Sequence, residues 1–314
     1  MPLIRPLELK DQSLVTSYLR RYPPEVSELT FTNLFVWRKS RPISFAEVGG
    51  SLVFIVEPEE DGHTRRVMFG PPSGEASVLD VVRSLGVEIE GIARLPKGAA
   101  DIVRDQGAKV EDDRDNWDYV YRVEDLAELS GRRFHKKRNL VRQCLEAHDC
   151  RYEPTTDQNL AECLDMQDRW CKARQCELEP GLCAEYIAIR EAFSDYEELE
   201  LLGGAVRVDG KIEAYAIGEE LSPGTAVCHF EKAMPGIRGL GQLVNQWFAK
   251  HSLSGFEFVN REQDLGIPGL RQAKESYFPH HMVEKFNAFF APELTTLPLA
   301  IEPRKCHKRT PTWE

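Results

Sequence analysis

The sequence predicts an α/β (α+β) protein built from two halves, each a mixed, mainly antiparallel sheet flanked by helices. Three observations support this fold class. Short apolar segments with alternating hydrophobicity recur along the chain and are bounded by turn residues, as is typical of half-buried strands. Amphipathic helical segments lie between them, and several end at a glycine. The chain has 314 residues, 42% of them hydrophobic, which is enough to bury two medium-sized cores.

The first half is predicted to span residues 1–122. Two apolar runs flank Gly49-Gly50, which indicates a hairpin, and two helical segments stop at Gly86 and Gly107. In chain order the predicted elements are a helix at 12–21, strands at 43–47, 52–57 and 67–69, helices at 76–85 and 99–106, and a strand at 116–123.

The second half is predicted to span residues 123–291. The turn sequences Asp209-Gly210 and Ser222-Pro223-Gly224 join three strands into an antiparallel meander. The clearest helical periodicity follows it, in residues 240–251, where five apolar or aromatic residues and His251 fall on one face. The predicted elements are helices at 132–148, 157–176 and 181–193, strands at 201–208, 211–219 and 225–233, the helix at 240–251, a strand at 256–259, a helix at 268–276 and a strand at 282–290. Residues 292–314 are predicted to be a loose basic tail.

Charge and hydropathy exclude several classes of protein. With 51 acidic and 40 basic side chains the formal charge is −11, so any contact with a polyanion has to be local. No apolar run approaches the roughly 18–20 residues of a membrane-spanning helix. The first residues lack the features of a secretory signal, because Arg5 and Glu8 interrupt the apolar stretch. We therefore expect a soluble, cytoplasmic protein without a transmembrane segment.

The cysteines are predicted to be structural thiols. Disulfides are unusual in a reducing compartment, and no C-x-x-C pair occurs. Cys163 and Cys171 on one helix would be about 12 Å apart along its axis, too far for one tetrahedral zinc ion. We expect no metal.

A glycine-containing turn separates the third strand of the meander from the helix at 240–251. Three antiparallel strands, a helix opened by glycines, a strand, a helix and a closing strand form the element order of a GNAT-type acyltransferase half. The first N–H groups of such a helix lack partners within the helix, so they can hold a pyrophosphate or carboxylate. The alternative is a loop that only turns a corner. The candidate cofactor-binding residues are Arg238, Gly239, Leu240, Gly241 and Gln242.

Three stretches carry a resemblance to a known family. They are His229 to Ala233, the Arg238-Gly239-x-Gly241 turn with Asn245 below it, and the long run from Phe258 to Pro279. Together they resemble the catalytic region of phosphatidylglycerol lysyltransferases, and more closely a soluble family of unknown function that shares this domain. The resemblance covers residues 132–290 strongly and the whole chain loosely, as two tandem GNAT-like halves.

The resemblance implies transfer of an acyl or aminoacyl group. In the lysyltransferases the donor is lysyl-tRNA and the acceptor is a lipid headgroup. We expect no membrane domain in front of this chain, and Leu243 stands where the coenzyme A signature of GNAT enzymes has a third glycine. The donor is therefore expected to be either acyl-CoA or aminoacyl-tRNA. If it is aminoacyl-tRNA, the protein is expected to bind the acceptor end of the tRNA. The acceptor is expected to be an amine or hydroxyl group of a small molecule or lipid headgroup.

Three residues are candidates for catalysis. Tyr277 corresponds to the position where GNAT enzymes often hold a tyrosine near the leaving group, which implies a general acid. Alternation along the strand places His229 and Glu231 on one face, so either could be the base. The alternative for both is an ordinary ion pair at a partly exposed strand.

A cluster of polar residues follows the apolar strand at 256–259. Charges directly after a buried strand favour a cleft, in which Arg271 and Lys274 would share a helix face and bind a phosphate or carboxylate. Glu262 and Asp264 would hold a substrate amine. An exposed network of ion pairs is the alternative. The candidate substrate-binding residues are Asn260, Arg261, Glu262, Asp264, Arg271 and Lys274.

A second basic cluster opens the helix predicted at 132–148. The macrodipole disfavours cations at a helix N-terminus, so this placement indicates an anion site. A solvated basic face is the ordinary alternative. The candidate anion-binding residues are Arg132, Arg133, Lys136 and Lys137. They also support a second hypothesis for the whole chain, a non-catalytic module of the same fold that binds a nucleotide, an RNA end or a lipid headgroup.

Overall fold

The computed structural model describes residues 2–60 and 63–296. The helices are α1 Gln12–Arg21, α2 Phe31–Val36, α3 Val78–Ser84, α4 Lys97–Asp105, α5 Val123–Glu128, α6 His135–Ala147, α7 Leu160–Arg174, α8 Pro180–Ser194, α9 Leu240–His251, α10 Pro268–Glu275 and α11 Pro292–Thr296. The strands are β1 Arg5–Pro6, β2 Ile43–Val48, β3 Ser51–Val56, β4 Glu59–Glu60, β5 His63–Thr64, β6 Val67–Phe69, β7 Gly91–Pro96, β8 Lys109–Asp112, β9 Asp118–Arg122, β10 Cys150–Pro154, β11 Leu202–Val208, β12 Lys211–Ser222, β13 Thr225–Ala233, β14 Phe258–Asn260, β15 His281–Val283 and β16 Lys285–Phe289.

Two mixed sheets organise the described residues. The N-terminal sheet has seven strands in the order β1-β2-β3-β6-β7-β16-β8, and the C-terminal sheet has seven in the order β10-β11-β12-β13-β14-β9-β15. Each contains one parallel pair, β6 with β7 and β13 with β14, among antiparallel neighbours. The predicted fold class is therefore confirmed: tandem GNAT-like halves, each a mainly antiparallel sheet flanked by helices.

The two sheets exchange a strand near the end of each half. β9 lies between β14 and β15 of the C-terminal sheet, and β16 lies between β7 and β8 of the N-terminal sheet. The predicted boundary between 122 and 123 therefore does not separate the sheets. The prediction of a single strand at 282–290 is wrong, because β15 of the C-terminal sheet ends at Val283 and β16 of the N-terminal sheet begins at Lys285. Alternating hydrophobicity identifies a strand but not the sheet that it joins.

The cores lie on both faces of the C-terminal sheet. One cluster joins α5, α6 and α9 to one face, and Leu240, Leu243, Val244 and Phe248 are buried in it as their spacing predicts. The other cluster is shared by both halves, since α2 packs with α7, α8 and Phe230 of β13. A third cluster lies against the N-terminal sheet and includes Ala288 of β16. Burying each large apolar side chain contributes roughly 1.5–3 kcal/mol.

Helix α2 has no counterpart in the sequence prediction. Its residues FTNLFV are all buried, so it has no polar face to produce a helical period. Thr30 caps it by accepting the Asn33 N–H at 3.0 Å. The strands β7, β8 and β10 and the helix α5 are also absent from the prediction.

The predicted basic tail lies mainly outside the described residues, and its first part, Pro292–Thr296, forms α11. In the part of the chain that the structure describes, no helix is long and apolar enough to cross a membrane.

Candidate active site

The parallel strands at the centre of the C-terminal sheet diverge. β13 and β14 pair only at Thr225 with Phe258, Ala226 with Val259 and Val227 with Asn260. Because β13 continues to Ala233, its residues 228–233 extend past the paired stretch and a gap opens beside them. Two ion pairs bridge that gap, one between His229 and Glu262 and one between Glu231 and Arg261.

A β-bulge at His229 sets the direction of these side chains. Cys228 and Phe230 pair with the consecutive residues Gly218 and Ile217, so His229 is the extra residue on β13. As a result Cys228 packs in the core cluster of α9, whereas Phe230 packs in the cluster shared by the two halves. The prediction that His229 and Glu231 share a face by regular alternation is therefore wrong.

His229 lies between two carboxylates. Its Nδ1 is 2.8 Å from Glu262 Oε1 and its Nε2 is 2.8 Å from Glu219 Oε1. Burial disfavours the charged imidazolium, but these two hydrogen bonds outweigh it and raise the pKa of His229 to about 9. At neutral pH both ring nitrogens carry protons. This argues against the general-base role that the sequence suggested for His229.

The second ion pair across the gap, between Glu231 and Arg261, lies near α9 and Tyr277. Glu231 accepts hydrogen bonds from Arg261 at 2.9 Å and from Asn245 Nδ2 at 3.0 Å. The Arg261 guanidinium lies 5.4 Å from the centre of the Tyr277 ring. The motif residues Asn245, Glu231 and Arg261, far apart in sequence, therefore meet beside Tyr277.

Tyr277 is buried, with 6% of its surface exposed, and its ring packs in the α9 core cluster. Lys137 Nζ lies 4.0 Å from the ring centre on the side of α6. Burial raises the pKa of the Tyr277 phenol well above its ordinary value, so the group is protonated at neutral pH. The buried Tyr277 ring thus lies close to two cations, Arg261 and Lys137.

Asn260 anchors the start of the polar segment. Fully buried, it donates to Asp118 at 2.9 Å and accepts the Glu262 N–H at 2.8 Å. Asp118 also accepts from Lys285 Nζ at 2.6 Å, and Lys285 reaches Glu28 at 2.5 Å. Asn260 is therefore a positioning residue for Glu262 rather than a free ligand group.

Asp264 and Arg271 serve the fold. Asp264 is fully buried and accepts two hydrogen bonds of 2.8 Å from Arg271 and one of 2.6 Å from Tyr119. Burial opposes ionisation, yet the hydrogen bonds from Arg271 and Tyr119 hold the pKa of Asp264 well below its ordinary value. With its acceptors occupied, Asp264 does not fit the predicted role of holding a substrate amine.

Lys274 also points into the protein. It donates to the carbonyl oxygens of Arg261 and Glu262 and so holds the segment that carries both gap-bridging side chains. Burial lowers the pKa of Lys274 to about 8. The predicted shared phosphate-binding face of Arg271 and Lys274 is contradicted, because each side chain is used internally.

The glycine turn before α9 is half closed. Gly239 has a φ of +87°, and a Cβ there would collide with the carbonyl oxygen of Leu140 in α6. Gly239 and Leu240 are buried, whereas Arg238 is exposed and Gly241 borders open space. Among the described residues, the N–H groups of Gly241 and Gln242 have no backbone acceptor outside the helix. Gly239 is thus needed for helix packing, whereas the amides of Gly241 and Gln242 are available to an anion.

The basic cluster predicted at residues 132–137 lines a cavity of about 920 Å³. We call it the α6 cavity. Ser276 and Phe278, which follow α10, complete its wall, and they were not identified as site residues from the sequence. Lys137 joins the α6 cavity to the phenol, because its Nζ donates to Ser276 Oγ at 2.7 Å while lying over the Tyr277 ring.

A second cavity, of about 440 Å³, lies where the two halves meet. Asn260 and Val120 line it from the C-terminal sheet, and Lys97 and Pro24 from the N-terminal half. In residues 2–60 and 63–296, no group of three or more His, Cys, Asp or Glu side chains could hold a metal ion. The described cysteines are free, and Cys163 is fully buried in the shared core.

Sheet order, the strand–turn–helix unit of β13 and α9, and the diverging parallel pair define a tandem GNAT-like α/β protein. The model of the family described as phosphatidylglycerol lysyltransferase, C-terminal, matches residues 19–289. The chain belongs to this family, which confirms the resemblance carried by its motifs.

Several solved structures have a similar fold. A conserved protein of unknown function from Bacteroides thetaiotaomicron is 30% identical, with a TM-score of 0.86 over 93% of this chain and 100% of that one. The C-terminal domain of a putative lysylphosphatidylglycerol synthetase from Agrobacterium fabrum is 14% identical, with a TM-score of 0.64 over 91% and 94%. L-PGS from Bacillus licheniformis is 14% identical, with a TM-score of 0.62 over 91% and 95%. No curated protein matches the chain.

Proposed function

We propose that this protein transfers an activated acyl or aminoacyl group to an amine or hydroxyl acceptor. The observation that carries the proposal is the buried ring of Tyr277, which lies close to Arg261 and Lys137 near the point where β13 and β14 diverge. Membership of a family named for a lysyltransferase supports the same chemistry. The donor is aminoacyl-tRNA or acyl-CoA.

The residues around the gap suggest a division of roles. A neutral phenol can donate a proton to the departing oxygen or sulfur, so Tyr277 is the proposed general acid. Arg261 and Lys137 place positive charge beside it and would stabilise the negative charge that develops during transfer. Since His229 is protonated at neutral pH, Glu231 is the proposed base, and it would have to exchange its bond to Arg261 for one to the acceptor.

Transfer assays with labelled aminoacyl-tRNA and with acyl-CoA test the proposal. Tyr277→Phe removes the proton donor and keeps the ring, so we expect the rate to fall by about 10²- to 10⁴-fold. Tyr196→Phe is the matched control, because Tyr196 is similarly buried, at 7% exposed, but lies in the other core cluster. No transfer from either class of donor, or equal rates for Tyr277→Phe and wild type, would contradict the proposal.

The closed state of the gap supports a second candidate function. Across it His229 is paired with Glu262 and Glu231 with Arg261, whereas the α6 cavity is open and basic. A non-catalytic module that binds an anionic ligand in that cavity would show this combination. Binding without turnover in the same assays would favour it.

A further inference from the structure

The α6 cavity carries positive charge that the described protein does not neutralise. Arg132 and Lys136 are exposed and form no ion pair with any described residue, while Arg133 pairs with Asp125 at 2.7 Å. No carboxylate lines the cavity wall. On a chain with a formal charge of −11, such a local concentration of cations is suited to an anionic ligand.

An exposed aromatic ring stands in the same wall. Phe278 is 43% exposed and is held in the left-handed region, with a φ of 56°. Its ring packs edge-on against buried Phe134, with centres 5.6 Å apart, and the Arg133 guanidinium lies 5.6 Å from its centre. A supported ring with an accessible surface beside cations offers stacking to a nucleobase and charge to phosphates, a combination typical of nucleotide sites.

The cavity also has a defined direction. Its inner end is Lys137, which touches the phenol of Tyr277, and its outer part holds Arg132 and Lys136. A ligand with its nucleotide in the cavity would therefore direct its other end toward the proposed general acid. By contrast, the glycine turn before α9 is partly closed, because Gly239 is packed against Leu140, and Arg238 is its exposed cation.

We propose that the α6 cavity binds the nucleotide end of the acyl donor, with its base on Phe278 and its phosphates on Arg132, Arg133 and Lys136. The chemistry is a purine nucleotide with its phosphates, which coenzyme A and the 3′ end of a tRNA share. This inference rests on the proposed function for the identity of the ligand as donor, but the binding site itself is testable without any reaction.

Binding measurements on the full chain separate charge from stacking. The probes are inorganic pyrophosphate, coenzyme A and a fluorescent RNA hairpin that ends in an unpaired CCA. Arg132→Ala with Lys136→Ala should weaken whichever nucleotide probe binds by about tenfold or more and flatten its salt dependence. The matched control is Lys211→Ala with Lys250→Ala, which removes the same charge from two exposed lysines outside the cavity and should change affinity less than about twofold.

Phe278→Leu keeps the Cβ and the apolar bulk but removes the ring. It should weaken the nucleotide probe by about fivefold or more, while pyrophosphate binding stays within about twofold, and Phe278→Tyr should restore nucleotide binding. Equal affinity in the charge variant and its control, an equal loss of pyrophosphate and nucleotide in Phe278→Leu, or no binding of any probe to wild type would overturn the proposal. Melting temperatures of all variants show whether each is folded.

Two further comparisons show whether the nucleotide belongs to a tRNA or to coenzyme A, and they test the binding site and the proposed function independently. Removing the terminal adenosine weakens the RNA if a tRNA end is bound, whereas binding of coenzyme A alone identifies the cofactor. If the nucleotide binds as described but wild type shows no transfer, the proposed binding site is supported and the proposed function is contradicted. If the Arg132→Ala, Lys136→Ala variant still catalyses transfer with an unchanged donor KM, the proposed binding site is contradicted and the proposed function is supported.

Discussion

At the scale of single residues, the charged side chains of the candidate site form ion pairs with other side chains of the protein. His229 illustrates this, because two carboxylates fix both of its ring nitrogens. The sequence shows a histidine and a glutamate two apart on a strand, a spacing that usually places them on one face. The bulge decides otherwise, and it arises from the pairing of β13 with β12, which no local pattern reveals.

The pairing of His229 predicts a pH dependence of stability. Because its pKa is raised from an ordinary 6.5 to about 9, the stabilisation is fully present below pH 6.5 and is lost as the pH rises through about 9. The free energy of unfolding of wild type should therefore fall over this interval relative to that of His229→Gln. Denaturant titrations of both proteins from pH 6 to pH 9.5 measure it, and parallel curves would refute the assignment of a buried imidazolium.

At the scale of elements, the junction before α9 shows why two glycines of one motif differ. Gly239 has a left-handed φ and lies against the backbone of α6, whereas Gly241 is inside the helix beside open space. Their spacing in the sequence predicts anion binding for both. Packing of α6 on α9 explains Gly239 without any ligand, since only glycine fits so close an approach.

These two glycines should respond oppositely to alanine. Gly239→Ala adds strain at a positive φ and a clash with Leu140, so we expect a loss of about 1–3 kcal/mol or more in the free energy of unfolding. Gly241→Ala is the control and should be neutral or stabilising by up to about 1 kcal/mol, because alanine favours helix. Urea unfolding compares them, and a stable Gly239→Ala would show that the two helices do not pack as described.

At the scale of the whole molecule, the exchanged strands tie the halves together through buried charge. Lys285 opens β16 of the N-terminal sheet and Asp118 opens β9 of the C-terminal sheet, and their side chains meet with Glu28 where no water reaches. Burial disfavours the ionised carboxylate, but Lys285 and Arg94 hold the pKa of Glu28 at about 2. The same Asp118 holds Asn260, so the junction also orders the segment that carries Arg261 and Glu262.

Removing the central cation should therefore destabilise both halves. Lys285→Met leaves buried Asp118 without its cation and buried Glu28 with Arg94 alone, and we expect a loss of about 3–5 kcal/mol in the free energy of unfolding. Lys97→Met is the control, since its ion pair with Glu284 at 3.2 Å is exposed and worth under about 1 kcal/mol. Calorimetry measures both, and a Lys285→Met protein as stable as the control would contradict a role of this charge in joining the halves.

The sequence by itself determined the fold class, the buried face of α9 and the family, because helical and strand periods and contiguous motifs are local properties of the chain. Only the tertiary structure decided which sheet takes β9 and β16, where β13 bulges and which charges neutralise one another. Lys285 and Asp118 are 167 residues apart, and His229 and Glu262 are 33 apart. Such partners are chosen by burial and geometry across the folded molecule, because a buried charge is stable only beside the group that the fold brings to it.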